Sequence, residues 1–345
     1  MGKLSVAFSL SLLFLPERLQ RLVFAGRLPF VDGRRIDPSA AALSTAVAKV
    51  RDTGGDPTLA ESRAQIALMA EKFDIPCPDT VNRRDLTLPG ADGECPARVY
   101  TPTGLGDDAP LLLYLHGGGW VQGNVDTHDG LCGRLADWGR LRVVSLEYRL
   151  APEHPFPAAP DDVLAAYRAL GSGATGIAVD PARMAVGGDS AGGNLTAALM
   201  HDLSAAGDVL PAAQLLIYPA VDARLDSASM VALADQPLLP LTRIRWYLDQ
   251  YLPKGVDRLQ PRVSPLMSDR LSGQPPAFIV AGGHDPLWSD ALAYADALKA
   301  AGVRVTLEPY EGQVHAFVSL GKVVPQAGQA IHASATWLHK TLGAS

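Results

Sequence analysis

The chain has 345 residues, 48% of them apolar and 19% charged, with a formal net charge of −6 at pH 7. This is ordinary globular composition, long enough for one large α/β domain with an accessory part or for two average domains. No cluster of basic residues marks a phosphate-binding face, so no nucleic-acid partner is expected.

At the N-terminus, Lys3 precedes an apolar stretch from Leu4 to Leu15. The stretch falls short of the roughly 20 residues that span a bilayer, and Pro16-Glu17-Arg18 follows with no clear A-x-A cleavage site. An apolar helix covering part of the fold of a cytoplasmic protein is expected. Peripheral membrane contact through the N-terminus and a signal peptide are the alternatives. Residues 1–75 read as helical and rich in Ala and Leu. Asp56-Pro57-Thr58 predicts the start of a helix over Leu59–Phe73, which Pro76 and Pro78 stop. The cysteines, Cys77, Cys95 and Cys132, are odd in number and lack metal-ligand spacing. Free thiols and no metal site are expected, with a Cys77–Cys95 bridge as the alternative.

From about residue 83 the pattern changes. Asp85–Leu88 and Ala97–Tyr100 alternate like strands, and Leu111–Leu115, Arg142–Leu146, Met184–Val186, Leu215–Tyr218 and Phe278–Ala281 are short apolar runs. Val303–Leu307 alternates again. Helix-length segments separate them: Leu131–Gly139, Asp161–Leu170, Gly193–Ala206, Asp290–Ala301 and Gln326–Leu342. Strands and helices in this alternation predict βαβ units and a mostly parallel sheet buried on both faces. Residues 223–262 break the rhythm with prolines at 237, 240, 253 and 261, and read as short helices outside the sheet. The predicted organisation is N-terminal cap helices over 1–80, a core formed by 81–222 and 263–345, and a second cap segment over 223–262.

Three motifs carry chemistry. His116-Gly117-Gly118-Gly119 follows the apolar run Leu111–Leu115. Such a loop lets backbone N–H groups approach a ligand closely; a phosphate cradle would need G-x-x-x-x-G-K-[ST], which is absent. Gly188-Asp189-Ser190-Ala191-Gly192 matches G-x-S-x-G between an apolar run and an Ala-rich helix, the setting of a nucleophile elbow. Ser190 is therefore the candidate nucleophile. Gly118, Gly119 and Ala191 are the candidate oxyanion-hole donors. His116 reads as structural. In this design the acid and then the base follow the serine along the chain. His315, in EGQVHAF, is the candidate base, because His332 and His339 share one face of the last helix. Asp285, one strand before the His315 loop, is the preferred acid, and Asp222, which also follows a strand, is the other candidate.

HGGGW, YRLAPEHPFPAAPDD (148–162), GDSAGGNL (188–195) and HDPL (284–287) occur in this order, and with them the chain resembles the hormone-sensitive-lipase-like, or family IV, bacterial carboxylesterases, in the branch carrying GDSAGG. The match covers roughly residues 80–345. The resemblance implies an α/β-hydrolase core with a helical cap, the triad Ser190–Asp285–His315, an oxyanion hole at Gly118, Gly119 and Ala191, hydrolysis of short- to medium-chain acyl esters without cofactor, and homodimers in many members. Two positions depart from the family: Trp288-Ser289-Asp290 stands where a charged segment often follows D-P-L, and Ala316 stands where glycine commonly follows the histidine. Trp120, Leu238, Tyr247, Trp288 and Phe317 are expected to line an apolar acyl or alcohol pocket, with Trp246 nearby. A lactone, amide, xenobiotic ester or bulky-alcohol ester is the alternative substrate. A non-catalytic small-molecule receptor on the same fold is the alternative of another class, disfavoured because all three triad positions are filled.

Overall fold

The computed structural model describes residues 9–51, 57–177 and 179–343. Its centre is an eight-stranded sheet in the order β10-β9-β8-β7-β5-β6-β4-β3. The strands are β3 (Val81–Pro89), β4 (Glu94–Pro102), β5 (Leu111–Leu115), β6 (Arg142–Leu146), β7 (Met184–Asp189), β8 (Ala213–Ile217), β9 (Ala277–Gly282) and β10 (Val305–Tyr310). Only β4 runs against the others. Every residue of β5, β6, β7, β8 and β9 is buried, so these strands read as continuous apolar runs rather than alternating ones.

Helices cover both faces. On one, α4 (Asp129–Gly139) and α10 (Pro325–Leu342) set Leu131, Leu135, Ile331 and Leu338 against Leu112, Val143 and Leu215. On the other, α5 (Ala158–Gly171) and α6 (Ala191–Ala206) pack Val163, Leu195 and Leu199 on Leu111, Leu113 and Val186. Helix α9 (Trp288–Ala300) buries Ala291, Tyr294 and Leu298 against Ile279 and Ala281. The helix starts lie within about three residues of the predicted ones. The last strand lies two residues later than expected, at Val305–Tyr310.

Of the apolar stretch Leu4–Leu15, residues 4–8 lie outside the described part. Residues 9–12 are helical, and Leu12 and Leu13 are buried in the core. Next come α1 (Glu17–Val23), a hairpin of β1 (Phe30–Val31) and β2 (Arg34–Arg35), α2 (Pro38–Arg51) and α3 (Leu59–Phe73). The hairpin was not expected in a segment read as helical. Its signal is Asp32-Gly33, both at positive φ, the pair that tight hairpin turns require. Asp56 lies outside the described residues; the cap of α3 is Thr58, whose side chain accepts the Glu61 N–H while Glu61 accepts the Thr58 N–H. Between β8 and β9 the chain leaves the sheet and forms α7 (Ala228–Ala232) and α8 (Leu241–Tyr251), with Ile244, Leu248 and Tyr251 buried at helical spacing. The three cysteines are unpaired. No helix among the described residues is long and apolar enough to cross a membrane.

Candidate active site

Strand β7 ends at Asp189 and α6 begins at Ala191, so the turn is a single residue, Ser190, at φ 54° and ψ −114°. A side chain at this φ costs on the order of 1–3 kcal/mol and persists only where the surroundings impose it. Here the Ser190 N–H donates to the Ile217 carbonyl at 2.8 Å, and Asn194 Nδ2 donates to Ala220 and Val263 at 2.7 and 2.9 Å. A Cβ on Gly188 or Gly192 would run into the Leu115 carbonyl. The glycines therefore let the turn pass close behind β5 and leave the Ser190 hydroxyl outward.

His315 Nε2 lies 2.9 Å from Ser190 Oγ, and its Nδ1 lies 2.7 Å from Asp285 Oδ2. With Nδ1–H donating to the carboxylate, Nε2 is left to accept the serine proton. Asp285 is fully buried, and its other oxygen accepts the Leu287 N–H at 2.9 Å, which fixes the carboxyl plane. The ring of Tyr218 packs 4.7 Å from the imidazole. Asp222, the other acid weighed, is turned to the Arg224 guanidinium at 2.9 Å and does not meet His315. Ala316 sits at φ 61°, in the left-handed region that favours glycine.

The glycine loop approaches Ser190 from β5. Gly118 and Gly119 have φ of 123° and 63°. Their N–H groups and that of Ala191 have no protein acceptor among the described residues. Gly117 is held differently: its N–H donates to Asp189 Oδ1 at 2.9 Å. The same oxygen accepts the Tyr114 hydroxyl at 2.8 Å and lies 3.2 Å from His128 Nε2. Burial alone would push Asp189 up, but the His128 charge and the hydrogen bonds outweigh it, and its pKa is lowered. Burial alone would push His128 down, but Asp189 outweighs it, and its pKa is raised. The two directions agree, each favouring the charged form of its group. His116 is structural, with its ring stacked 4.4 Å from Tyr148 and its pKa pushed down to about 4 by burial and by His128.

A cavity of about 980 Å³ opens over Ser190 and His315. Trp120, Leu238 and Tyr247 are among the residues that line it. Trp288 and Phe317 do not, which corrects the expectation for both. Phe317 is fully buried in the core, 5.2 Å from the ring of Tyr310. Trp288 lies beneath the Arg34 guanidinium, 4.9 Å from ring centre to carbon. Part of the wall was not anticipated: Leu43 and Val47 of α2 and Ile66 and Met69 of α3 face the cavity. So was the join between its walls, where Ser62 Oγ donates to Gln122 Oε1 at 2.5 Å and Gln122 Nε2 donates to the Tyr247 hydroxyl at 2.9 Å. Tyr247 packs so closely over Gly119 that a Cβ there would strike its ring. His128 carried no motif signal. Tyr218, at the end of an apolar strand, reads simply as core. In the YRLAPEHPFPAAPDD segment, Arg149 pairs with Asp162 at 2.8 Å, and Glu153 reaches Arg63 of α3 at 2.7 Å.

Residues 112–319 match the family described as alpha/beta hydrolase fold. The chain is 40% identical over 317 residues to the carboxylic ester hydrolase LipN of Mycobacterium tuberculosis, covering 89% of this chain and 83% of that one. It is 39% identical over 271 residues to the ethyl acetate hydrolase of Pseudomonas putida, covering 77% and 83%. Among solved structures, an ester-hydrolase from the metagenome of Lake Arreo, complexed with a bipyridine phosphonate derivative, superposes with a TM-score of 0.85 at 38% identity, covering 89% of this chain and 99% of that one.

Proposed function

Since the chain belongs to the α/β hydrolase fold family, among the hormone-sensitive-lipase-like esterases, and is a carboxylic ester hydrolase, we propose that it works through an acyl-enzyme on Ser190. Ser190 Oγ attacks the ester carbonyl while His315 Nε2 takes its proton. The Gly118, Gly119 and Ala191 N–H groups receive the oxyanion, each donor contributing on the order of 3 kcal/mol to the transition state. His315 then protonates the leaving alcohol, and Asp285 holds the imidazole and offsets its charge. Water, deprotonated by His315, releases the acid. The observation that carries this reading is the unbroken relay of 2.9 and 2.7 Å from Ser190 through His315 to Asp285.

The substrates are small esters with short- to medium-chain acyl groups. A relative named for ethyl acetate supports a small acyl part, and the apolar lining supports an apolar one. Residues 9–51, 57–80 and 223–262 serve as the cap that closes this space over the core. The volume of about 980 Å³ is far larger than a short ester needs and favours a second reading, an ester with a short acyl group on a bulky apolar alcohol. Hydrolysis of p-nitrophenyl esters from acetate to palmitate, beside acetates of bulky alcohols and with Ser190→Ala as control, tests both. Turnover that peaks at short or medium chains and is lost in the variant is expected. Full turnover in Ser190→Ala overturns the scheme.

A further inference from the structure

Helix α1 is turned the wrong way for a helix on a water-facing surface. It buries Gln20, 2% exposed, whose side-chain amide donates to the Leu12 carbonyl at 3.0 Å. It presents Leu19, Leu22 and Val23 to solvent, Leu22 being 71% exposed, and Phe14 just before it is 66% exposed. Residues 19, 22 and 23 share one face at helical spacing. Adjoining apolar side chains left in water mark an interaction site rather than a stable bare surface.

Charge identifies what covers it. Arg18, Arg21 and Arg27 are all exposed, and Glu17 is the only acid within residues 9–30, with Asp37 acting on Arg21 from just beyond. Arg21 pairs with Glu17 at 2.6 Å, and neither Arg18 nor Arg27 has an acidic partner among the described residues. This local positive charge stands on a chain whose formal net charge is −6. Apolar residues flanked by arginines match an anionic lipid surface, where the side chains enter the acyl boundary and the guanidinium groups meet phosphate. A second copy of the chain fits poorly, because a two-fold contact through the patch would set these arginines against their own counterparts.

The segment that leads into the patch also reaches the cavity, through Leu10 and Leu13. Leu10, Val50 and Leu68 line the cavity and are themselves exposed to solvent, so the opening is rimmed by apolar side chains beside the N-terminal segment. We propose that residues 9–30 dock on an anionic phospholipid bilayer and set the cavity mouth against it, so that an apolar ester enters from the lipid. Delivery of substrate rests on the esterase reading above; docking does not.

Docking is tested without ester. The full chain is sedimented with vesicles of equal parts phosphatidylglycerol and phosphatidylcholine, and with pure phosphatidylcholine. Binding to the anionic vesicles alone is expected, weakened about tenfold or more by Leu22→Asp and about fivefold for each of Arg18→Gln and Arg27→Gln. Turnover of a water-soluble acetate ester should stay unchanged in all three variants, which also reports that they fold. Turnover of an ester embedded in anionic vesicles should fall with binding. Absence of vesicle binding, binding that Leu22→Asp leaves intact, or a dimer in solution that Leu22→Asp dissociates would each overturn the proposal. Binding without turnover of any ester would leave docking standing and sink the esterase reading instead.

Discussion

The Asp189 carboxylate, one residue before Ser190, accepts the Gly117 N–H at 2.9 Å and so ties the nucleophile's turn to the glycine loop that faces it. Both ends of the future oxyanion site are thereby held by one side chain. Its negative charge beside a forming oxyanion would be unfavourable alone, and His128, 3.2 Å away, offsets it.

His128→Asn should therefore lower stability and kcat together. Removing one member of a buried pair costs about 3–5 kcal/mol. The raised pKa of His128 means that its contribution is complete below its unfolded pKa of about 6.5 and is lost as pH rises through the folded value. The lowered pKa of Asp189 means that its contribution is present above about pH 4 and is lost as pH falls through the folded value. Denaturation of wild type and variant across pH should show the largest difference between about pH 4 and 6.5. A difference that does not vary with pH would show that the pair is not ionised.

Gly119→Ala should reduce kcat/KM about hundredfold. The positive φ costs alanine only about 1–2 kcal/mol. The new methyl must also displace the Tyr247 ring, and overpacking of this kind costs about 1–3 kcal/mol more. The double variant Gly119→Ala/Tyr247→Ala should recover part of the loss, leaving the backbone cost. Additive losses in this cycle would show that Tyr247 is not what confines the loop.

Asp290 is buried, and its pKa is pushed up to about 7, first by burial and then by the charges of Asp222 and Asp285. A folded pKa above the unfolded value near 4 means that stability is full at low pH and falls as pH rises through about 7. Asp290→Asn should raise stability at pH 8 by on the order of 3 kcal/mol and change little at pH 4. Urea midpoints at the two pH values measure this. An equal change at both would assign the cost to something other than ionisation.

Met69 of α3 lines the cavity. Met69→Trp should fill space beside α3, raising KM for p-nitrophenyl octanoate about tenfold while the acetate is unaffected, since pocket volume discriminates chain length by about 1–3 kcal/mol. A matched change for both esters would mean that acyl chains do not reach α3.

Elements whose signal is local were legible in the chain. Five all-buried strands announce themselves as apolar runs, and Gly188 to Gly192 encode a strand–turn–helix junction within five residues. The Asp32-Gly33 hairpin signal is equally local, but it lies inside an Ala- and Leu-rich stretch whose composition favours helix. Asp285 and Asp222 both follow strands and so look alike in the chain; the approach of His315 to one and of Arg224 to the other separates them in space. Phe317 is core rather than pocket, because nearness to His315 in the chain does not decide where a ring packs.

By itself the sequence determined the individual strands and the turn at Ser190, since each depends on residues within a few positions of one another. Tertiary structure alone decided which surfaces close over them: Tyr247 on Gly119, Ser62 through Gln122 to Tyr247, and His128 on Asp189. These partners lie 60 or more positions apart in the chain. What brings them together is the burial of several elements against one sheet, and that packing leaves no periodic trace in any single segment.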